Sequence, residues 1–276
     1  QRAVRSKRYK YIRYYEPYKP FCQYMNTPEK GGIMQAIRQA SQDNSLPEAG
    51  THIVASSKPA EELFDLEADP WELKNLAEDP NYAAQLEEMR AAHAEWSDRT
   101  KDTGLIPETI LRRWEKDYNK SIYAIMRQDS IPVSLIRNIA IGELELEPWL
   151  TALQNPNAAV RYWAAIRLGN DERVANHISS LRQHLADSIP LVRIAVARAL
   201  CLAGVEKFGL PVLQKELQHA DEWVRLSSAI VIDEMQEQAR PAVEDLQSVM
   251  EDPNKYVVRV ANHALNALLG TTNTVP

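Results

Sequence analysis

The pair Val-Arg recurs in the second half of this 276-residue sequence, at Val160, Val192, Val224 and Val258, with spacings of 32, 32 and 34 residues. An amphipathic segment that ends in a polar turn precedes each pair, and small and apolar residues at helical spacing follow it. Such a period predicts two helices per repeat, stacked so that neighbouring repeats bury a continuous core. We therefore expect an all-α solenoid of about four repeats over residues 145–270, followed by a tail over residues 271–276.

An Asp or Asn lies in the turn between the two predicted helices of each repeat. These residues are Asn155, Asp187, Asp221 and Asp252. A turn of this kind before Val-Arg resembles the HEAT-repeat family. The resemblance implies that the acid or amide caps the second helix and that the Arg bonds along the stack to a neighbouring turn. The offset from this residue to Val varies between 3 and 6 residues, which we expect to weaken the ladder in the third and fourth repeats.

Residues 1–105 follow a different pattern, and here we predict a small α+β domain, an antiparallel sheet with a packed helix. Aromatic and β-branched residues alternate with basic ones over residues 2–15, which is typical of a two-stranded hairpin with one buried face. Further short strands are expected at residues 51–55 and 61–66.

A helix is predicted at residues 81–99, with Asp79 or Asn81 as its cap. Its apolar stripe consists of Leu86, Met89, His93 and Trp96. Residues 106–144 are predicted to be a helical linker or cap. Its expected helices lie at 107–119, 121–128 and 132–142.

The composition excludes several classes of protein. An apolar fraction of 45% is ample for a packed core, so wholesale disorder is excluded. The net charge of −6 argues against a nucleic-acid partner, because phosphate neutralisation needs a basic surface. No window is long and apolar enough to predict a membrane-spanning helix.

The sequence contains no complete catalytic or metal-binding motif. Cys22 and Cys201 have no Cys or His at ligand spacing, and the six histidines are scattered. Eight carboxylates lie within residues 61–79, but they lack the alternating spacing and bounding Gly of a calcium loop. We therefore predict no catalytic residue and no metal ligand in this chain, and interpret the acidic stretch as a solvated face.

The first 19 residues are basic, with seven Arg or Lys against one Glu, and tyrosines are interleaved with them. One interpretation is a surface for an anionic polymer such as a sulfated glycan, built around Lys7, Arg8 and Lys10. The other, which we favour, is a hairpin whose basic residues face water while its tyrosines pack.

Ordered segments of the first half resemble the sulfatase family. Residues 2–13 are similar to the strand pair that opens the C-terminal subdomain of sulfatases. Residues 61–76, EELFDLEADPWELKNL, resemble the closing signature of that family, an ELYDL…DP…E…NL stretch before the last helix. Residues 25–34 and 58–60 resemble the branch similar to heparan N-sulfatase. The resemblance covers about residues 1–106.

This resemblance implies a larger parent with an N-terminal α/β domain that carries calcium and a formylglycine nucleophile. The family makes formylglycine in a Cys/Ser-x-Pro-x-Arg context, and no Cys or Ser of this sequence completes that motif. We therefore expect the C-terminal fragment of an enzyme that hydrolyses sulfate esters or sulfamates, with the nucleophile, metal and main contacts to the sulfated substrate lying outside this chain. Such a fragment should be inactive alone. The abrupt opening at Gln1 agrees with this interpretation.

The best candidates for substrate contact within the chain are Asn26, Glu29 and Lys30, in a turn between proline and glycines, although a simple surface turn explains them equally well. The alternative function is a non-catalytic scaffold in which the solenoid binds a protein partner. The compartment stays open, and the resemblance favours a periplasmic or exported enzyme.

Overall fold

The computed structural model describes residues 1–127, 131–142 and 145–276. Its contacts divide the chain into two units, Gln1–Asp102 and Thr103–Pro276. Helices dominate the secondary structure, and a small antiparallel sheet accompanies them. Among the described residues, no helix combines the length and the apolar character that a membrane crossing requires.

The sheet of unit 1 has the strand order β1-β2-β3. Its strands are β1 (Arg2–Arg5), β2 (Tyr9–Arg13) and β3 (Glu61–Asp65). The predicted hairpin is confirmed, because β1 and β2 pair antiparallel with Val4 opposite Tyr11, and Leu63 of β3 lies opposite Tyr11 on the other side. Tyr11 and Leu63 are buried together with Leu86 and Met89, so one face of the sheet packs on the predicted helix.

The helices of unit 1 are α1 (Asn26–Glu29), α2 (Gly32–Gln42), α3 (Glu48–Thr51) and α4 (Ala83–Thr100), with 3-10 turns at His52–Val54 and Pro80–Tyr82. The expected helix at 81–99 is therefore confirmed as α4. Asp79 accepts a hydrogen bond from the N–H of Asn81 and so caps the 3-10 turn that leads into α4. The helix α4 itself begins after Tyr82 without a side-chain cap, so the predicted cap lies one turn early. Leu86, Met89 and His93 are buried along its stripe, and Trp96 is half-buried.

The strand expected at residues 51–55 is wrong. This segment forms the end of α3 and the following 3-10 turn. Pro47 ends the preceding extended backbone, and the N–H of Gly50 then bonds to the carbonyl oxygen of Pro47. Ala55 likewise bonds back to His52, so the amides are satisfied locally and need no neighbouring strand.

Unit 2 is helical throughout its described residues. Its helices are α5 (Glu108–Tyr118), α6 (Ile122–Met126), α7 (Val133–Ile141), α8 (Leu146–Ala152), α9 (Ala158–Gly169), α10 (Ile178–Gln183), α11 (Pro190–Leu202), α12 (Glu206–Leu217), α13 (Glu222–Glu234), α14 (Val243–Ser248) and α15 (Lys255–Leu269). Shorter 3-10 segments lie at Thr103–Leu105, Glu172–His177, His184–Ala186 and Gln236–Ala242. The first three helices match those expected between 107 and 142, except that residue 128 lies outside the described residues.

The helices that contain Val-Arg are α9, α11, α13 and α15, and each packs on the helix before it in the chain. They also contact one another in succession, α9 with α11, α11 with α13 and α13 with α15. The small and apolar residues predicted for this packing are fully buried: Ala165, Leu168, Ala197, Leu200, Ala229 and Ile232. The helices α9 and α11 approach closely at Gly169, where a Cβ would lie 2.9 Å from the Cα of Ala199.

Arginines of the Val-Arg pairs link successive repeats, as expected. Arg161 donates from Nε and Nη2 to the carboxylate of Asp187, at 2.7 and 2.9 Å. Arg225 makes the same two bonds to Asp252, at 2.6 and 2.9 Å. Each arginine also binds a carbonyl oxygen of its own turn, six residues before it. The arginine therefore holds both its own turn and the next one.

The middle link of this ladder has a different acid. Arg193 donates to Glu216 at 2.7 Å, and the side chain of Glu216 is 1% exposed. His219, which lies 32 residues after Asp187, occupies the position of the expected acid. Asp221 caps α13 instead, accepting from the N–H of Trp223. The varying offset predicts a weaker ladder at the third and fourth repeats. At the third, a carboxylate from α12 replaces the turn acid. At the fourth the expectation is wrong, because Asp252 accepts two short hydrogen bonds from Arg225.

Candidate functional site

The acids in residues 61–76 hold the local backbone in place. Asp65, 1% exposed, accepts from Nε and Nη2 of Arg8, with the shortest bond at 2.6 Å. Asp69 accepts the backbone N–H groups of Leu73 and Lys74 at 2.7 and 2.8 Å. The pKa of Asp65 is lowered, first by the hydrogen bond from Arg8 and then by backbone N–H groups, against the effect of burial. These carboxylates close the turn that follows β3.

Asn75 fastens the segment after this turn to β3. Its Oδ1 accepts the N–H of Leu63 at 3.0 Å, and its Nδ2 donates to the carbonyl oxygen of Glu61 at 3.1 Å. The N–H of Leu76 then bonds to the carbonyl oxygen of Leu63 at 2.8 Å. Asp65, Asp69 and Asn75 therefore have structural contacts, and of these three Asn75 lines the cavity described next.

A cavity of about 700 Å³ lies in unit 1, beside β3 and this turn. Its lining is mixed in character. The residues are Phe21, Glu48, Ala49, Thr51, His52, Ala55, Ser57, Pro59, Glu62, Phe64, Glu72, Leu73, Lys74 and Asn75. Carboxylates, an amide and hydroxyl groups surround an aromatic floor. Such a surface can bind the hydroxyl groups and the apolar face of a polar organic ligand.

Aromatic contacts shape the floor of the cavity. Phe21 meets Tyr14 edge to face at 5.5 Å between ring centroids, and it meets His52 in the same way at 5.7 Å. The hydroxyl of Tyr14 donates to Glu62 at 2.7 Å, which orients that carboxylate. Burial and this hydrogen bond raise the pKa of Tyr14, so the phenol stays protonated and donating at neutral pH.

A lysine lies against the same aromatic pair. Lys58 Nζ is 5.7 Å from the ring centroid of Tyr14 and 5.6 Å from that of Phe21. Burial lowers the pKa of Lys58, and the charge of Glu16 opposes that effect. Lys58 makes cation–π contacts with both rings, and of the two rings Phe21 lines the cavity.

The carboxylate of Glu61 is bound by basic side chains of β2 and α4. It accepts from Arg90, from Arg13 at 3.3 Å and from the hydroxyl of Tyr11 at 2.9 Å. Burial raises the pKa of Glu61, but hydrogen bonds from Arg90 and Tyr11 and the nearby positive charges outweigh it, so the pKa is lowered overall. This carboxylate stays ionised and ties β3 to α4.

The three residues expected to contact substrate lie outside this cavity. Asn26 and Glu29 are on α1, and Lys30 follows at its end. The carboxylate of Glu29 is bound by Arg38 Nη2 at 2.7 Å, and Asn26 accepts from Tyr24 at 3.4 Å. The structure thus brings the three together on one short helix, but none lines the cavity within the described residues.

Sequence reasoning missed the cavity residues His52, Glu62 and Phe21. The alternation in residues 61–66 marks Glu62 as lying on the opposite face from the buried Leu63, which was a usable signal. No such signal marks His52, because residues 51–55 are predicted to be a strand. The tyrosines of the basic hairpin pack as we favoured, since Tyr11, Tyr14 and Tyr15 are buried. Its basic residues do not all face water, because Arg13 is 3% exposed.

The charges of the basic hairpin are partly paired within the chain, since Arg8 binds Asp65 and Lys10 binds Glu72. Among the described residues, no group of three or more His, Cys, Asp or Glu side chains is placed to hold a metal ion.

Comparison with known proteins connects part of the chain to sulfatases. No family model matches it. The ulvan-active sulfatase of Formosa agariphila is 38% identical over 110 residues. That match covers 40% of this chain, and the chain spans 18% of the length of the relative. The protein therefore contains a sulfatase-related region.

Proposed function

We propose that the sulfatase-related region is residues 1–105 and that it is the C-terminal subdomain of a formylglycine-dependent sulfatase acting on a sulfated glycan. The 38% identity to an ulvan-active sulfatase carries this proposal. The contacts of Asp65, Asp69 and Asn75 support it, because they give the residues of the signature a shared structural role. The nucleophile and calcium ligands of such an enzyme are then supplied by residues outside this chain.

In this proposal the cavity beside β3 holds an uncharged part of the glycan, next to the sugar whose sulfate ester or sulfamate reacts. Glu48, Glu62 and Glu72 line it together with Lys74, so carboxylates outnumber the ammonium. Carboxylates accept hydrogen bonds from sugar hydroxyls and repel sulfate groups. Phe21 offers an apolar face to a sugar ring. The contact to sulfate is assigned to α1, where Glu29 is paired with Arg38 and the neighbouring Lys30 is positively charged.

The test uses the enzyme with its catalytic domain present. Glu62→Gln should raise KM for the polymer by about three- to tenfold, because one hydrogen bond to a charged group is lost. Turnover of a small aryl sulfate should stay unchanged. Glu78→Gln is the matched control, because Glu78 is exposed and does not line the cavity. Equal KM values for both variants would refute the role of the cavity. Sulfate release by residues 1–276 alone would refute the placement of the nucleophile outside this chain.

We also propose that residues 145–270 form a HEAT-like solenoid that binds a protein partner. The supporting observation is the arginine ladder through Arg161, Arg193 and Arg225, which joins repeat to repeat. The alternative for the whole chain is a non-catalytic scaffold, which would hold if the parent lacked a Cys/Ser-x-Pro-x-Arg site. An experimental structure in which successive helix pairs are not related by a constant rotation would contradict the solenoid.

A further inference from the structure

The last helix of unit 2 carries polar side chains that bind main-chain atoms. Arg259, Asn262 and Asn266 lie three and four residues apart on α15 and therefore share one face. Residues 271–276, which have no helical or strand structure, lie along this face. The contacts between them include hydrogen bonds from side chains of the helix to the backbone of that segment, and one from the hydroxyl of Thr271 to Oδ1 of Asn266 at 2.7 Å.

Asn273 is the centre of these contacts. Nδ2 of Asn262 and Nδ2 of Asn266 each donate to the carbonyl oxygen of Asn273 at 2.8 Å. Oδ1 of Asn266 accepts the N–H of Asn273 at 2.9 Å. The carboxamide of Asn266 thus pairs with both backbone groups of one residue. Because these are main-chain groups, the contact accepts many side chains at that position.

Arg259 binds the segment at a point three residues after Asn273. Its Nε donates to the oxygen of Pro276 at 2.7 Å. Arg259 belongs to the Val-Arg pair of the fourth repeat, and its counterparts Arg161, Arg193 and Arg225 each bind a carboxylate. Because the equivalent arginines each bind an acid, an acidic side chain is the best-matched partner of Arg259.

The segment is mostly exposed, and there is space beside it. Residues 271–274 and 276 are exposed, and Val275 is half-buried. A cavity of about 720 Å³ adjoins them, lined in part by Met250, Leu265 and Leu269. Asn262, in contrast, is only 4% exposed. A buried amide that binds the backbone of an exposed segment is the arrangement of a peptide site filled from within the chain.

We propose that Arg259, Asn262 and Asn266 form a binding site for an extended peptide of a partner protein, with a carboxylate three residues after the clamped peptide group. Residues 271–276 occupy this site as an internal competitor. The partner's apolar side chains enter the adjoining cavity, and its backbone takes the place of Asn273.

The experiment measures binding of the labelled peptide TTNTVE, acetylated and amidated, by fluorescence anisotropy. Deletion of residues 271–276 should raise its affinity at least about tenfold over the intact chain, because the competitor is gone. In the deleted chain, Asn266→Ala should weaken binding about tenfold, the cost of two ordinary hydrogen bonds. Asn170→Ala, which removes an amide that bonds within its own helix region, is the control and should change nothing.

A peptide ending in Gln instead of Glu should bind about tenfold more weakly, and Arg259→Gln should abolish that difference. If the deletion lowers helicity, the full-length chain with Asn273→Pro is used in place of the deleted chain, since proline removes the N–H that Asn266 binds. The site would be overturned if the peptide bound equally well to the intact chain and to the chain with residues 271–276 deleted or released. Equal affinity of Asn266→Ala and Asn170→Ala would overturn it as well. Equal binding of the Glu and Gln peptides would overturn the acidic partner, and dimerisation by exchange of residues 271–276 would replace the partner with a second copy.

Discussion

The link between the third and fourth repeats should be a large single contribution to the stability of unit 2. Asp252 is 5% exposed and Arg225 is 13% exposed, and they share two hydrogen bonds. Asp252→Ala leaves the guanidinium without its carboxylate in a site that water barely reaches. We expect this substitution to destabilise unit 2 far more than the loss of a surface ion pair.

The magnitude follows from the contacts. Removing one partner of a buried ion pair costs about 3–5 kcal/mol. Arg225 keeps its bonds to the carbonyl oxygens of His219 and Ala220, at 2.8 and 3.1 Å, so the lower part of that range applies. Asp252 also accepts the N–H of Asn254 at 2.8 Å, and its loss adds about 1 kcal/mol. The expected decrease is about 3–4 kcal/mol, or roughly 6–16 °C in Tm for a unit of this size.

Acid titration provides a second measure of the same link. Burial raises the pKa of Asp252, but the bonds from Arg225 and Asn254 and the charge of Arg225 outweigh it, so the folded-state pKa is lowered. The stabilisation is present above the unfolded pKa of about 3.9 and is lost as the pH falls through the folded value. Asp252→Asn should make the stability less dependent on pH in that range.

The assay is urea or thermal unfolding followed by circular dichroism at neutral pH. Glu237→Gln is the control, because Glu237 forms an exposed pair with Arg240 and its loss should not change the free energy of unfolding measurably. If Asp252→Ala and Glu237→Gln had the same effect, the ladder would not be a determinant of stability, and our reasoning about the repeats would be refuted.

Three further substitutions test other contacts. Gly209→Ala should destabilise by about 2–3 kcal/mol in urea unfolding, because its Cβ would lie 2.3 Å from the carbonyl oxygen of Ala197, whereas Gly32→Ala, with nothing within 4 Å, should be tolerated. Asn75→Ala should cost about 1–2 kcal/mol and should expose β3 to amide hydrogen exchange, since two bonds to that strand are lost. Glu61→Gln should flatten the acid limb of the stability of unit 1 below about pH 4.3, because the lowered pKa of Glu61 stabilises the fold only above the unfolded value; an unchanged titration would contradict this.

Periodicity predicted the packing of the helices because the same contact recurs at every repeat. Ala165, Ala197 and Ala229 are each fully buried where the Val-Arg period places them. The period also identifies His219, whereas the nearest acid in the sequence is Asp221, two residues later. Glu216 was not predictable in this way, because its carboxylate comes from the neighbouring helix and has no counterpart at the repeat spacing.

The cavity of unit 1 was harder to predict because its lining comes from distant parts of the sequence. Phe21, His52 and Glu62 meet only after α3 and the following turn fold back on the sheet. No period relates them, and the error at residues 51–55 removed His52 from consideration. Hydrophobic alternation predicts which face of a strand is buried, but it does not predict which loop covers the other face.

The acids and the amide of residues 61–76 have a consequence for how related chains are recognised. Asp65, Asp69 and Asn75 bind backbone N–H groups, a strand carbonyl and one arginine, so selection on them acts on folding. Substitutions in this stretch should therefore lower the yield of folded protein. A related chain should keep these residues for as long as it keeps the sheet, whatever else it has lost.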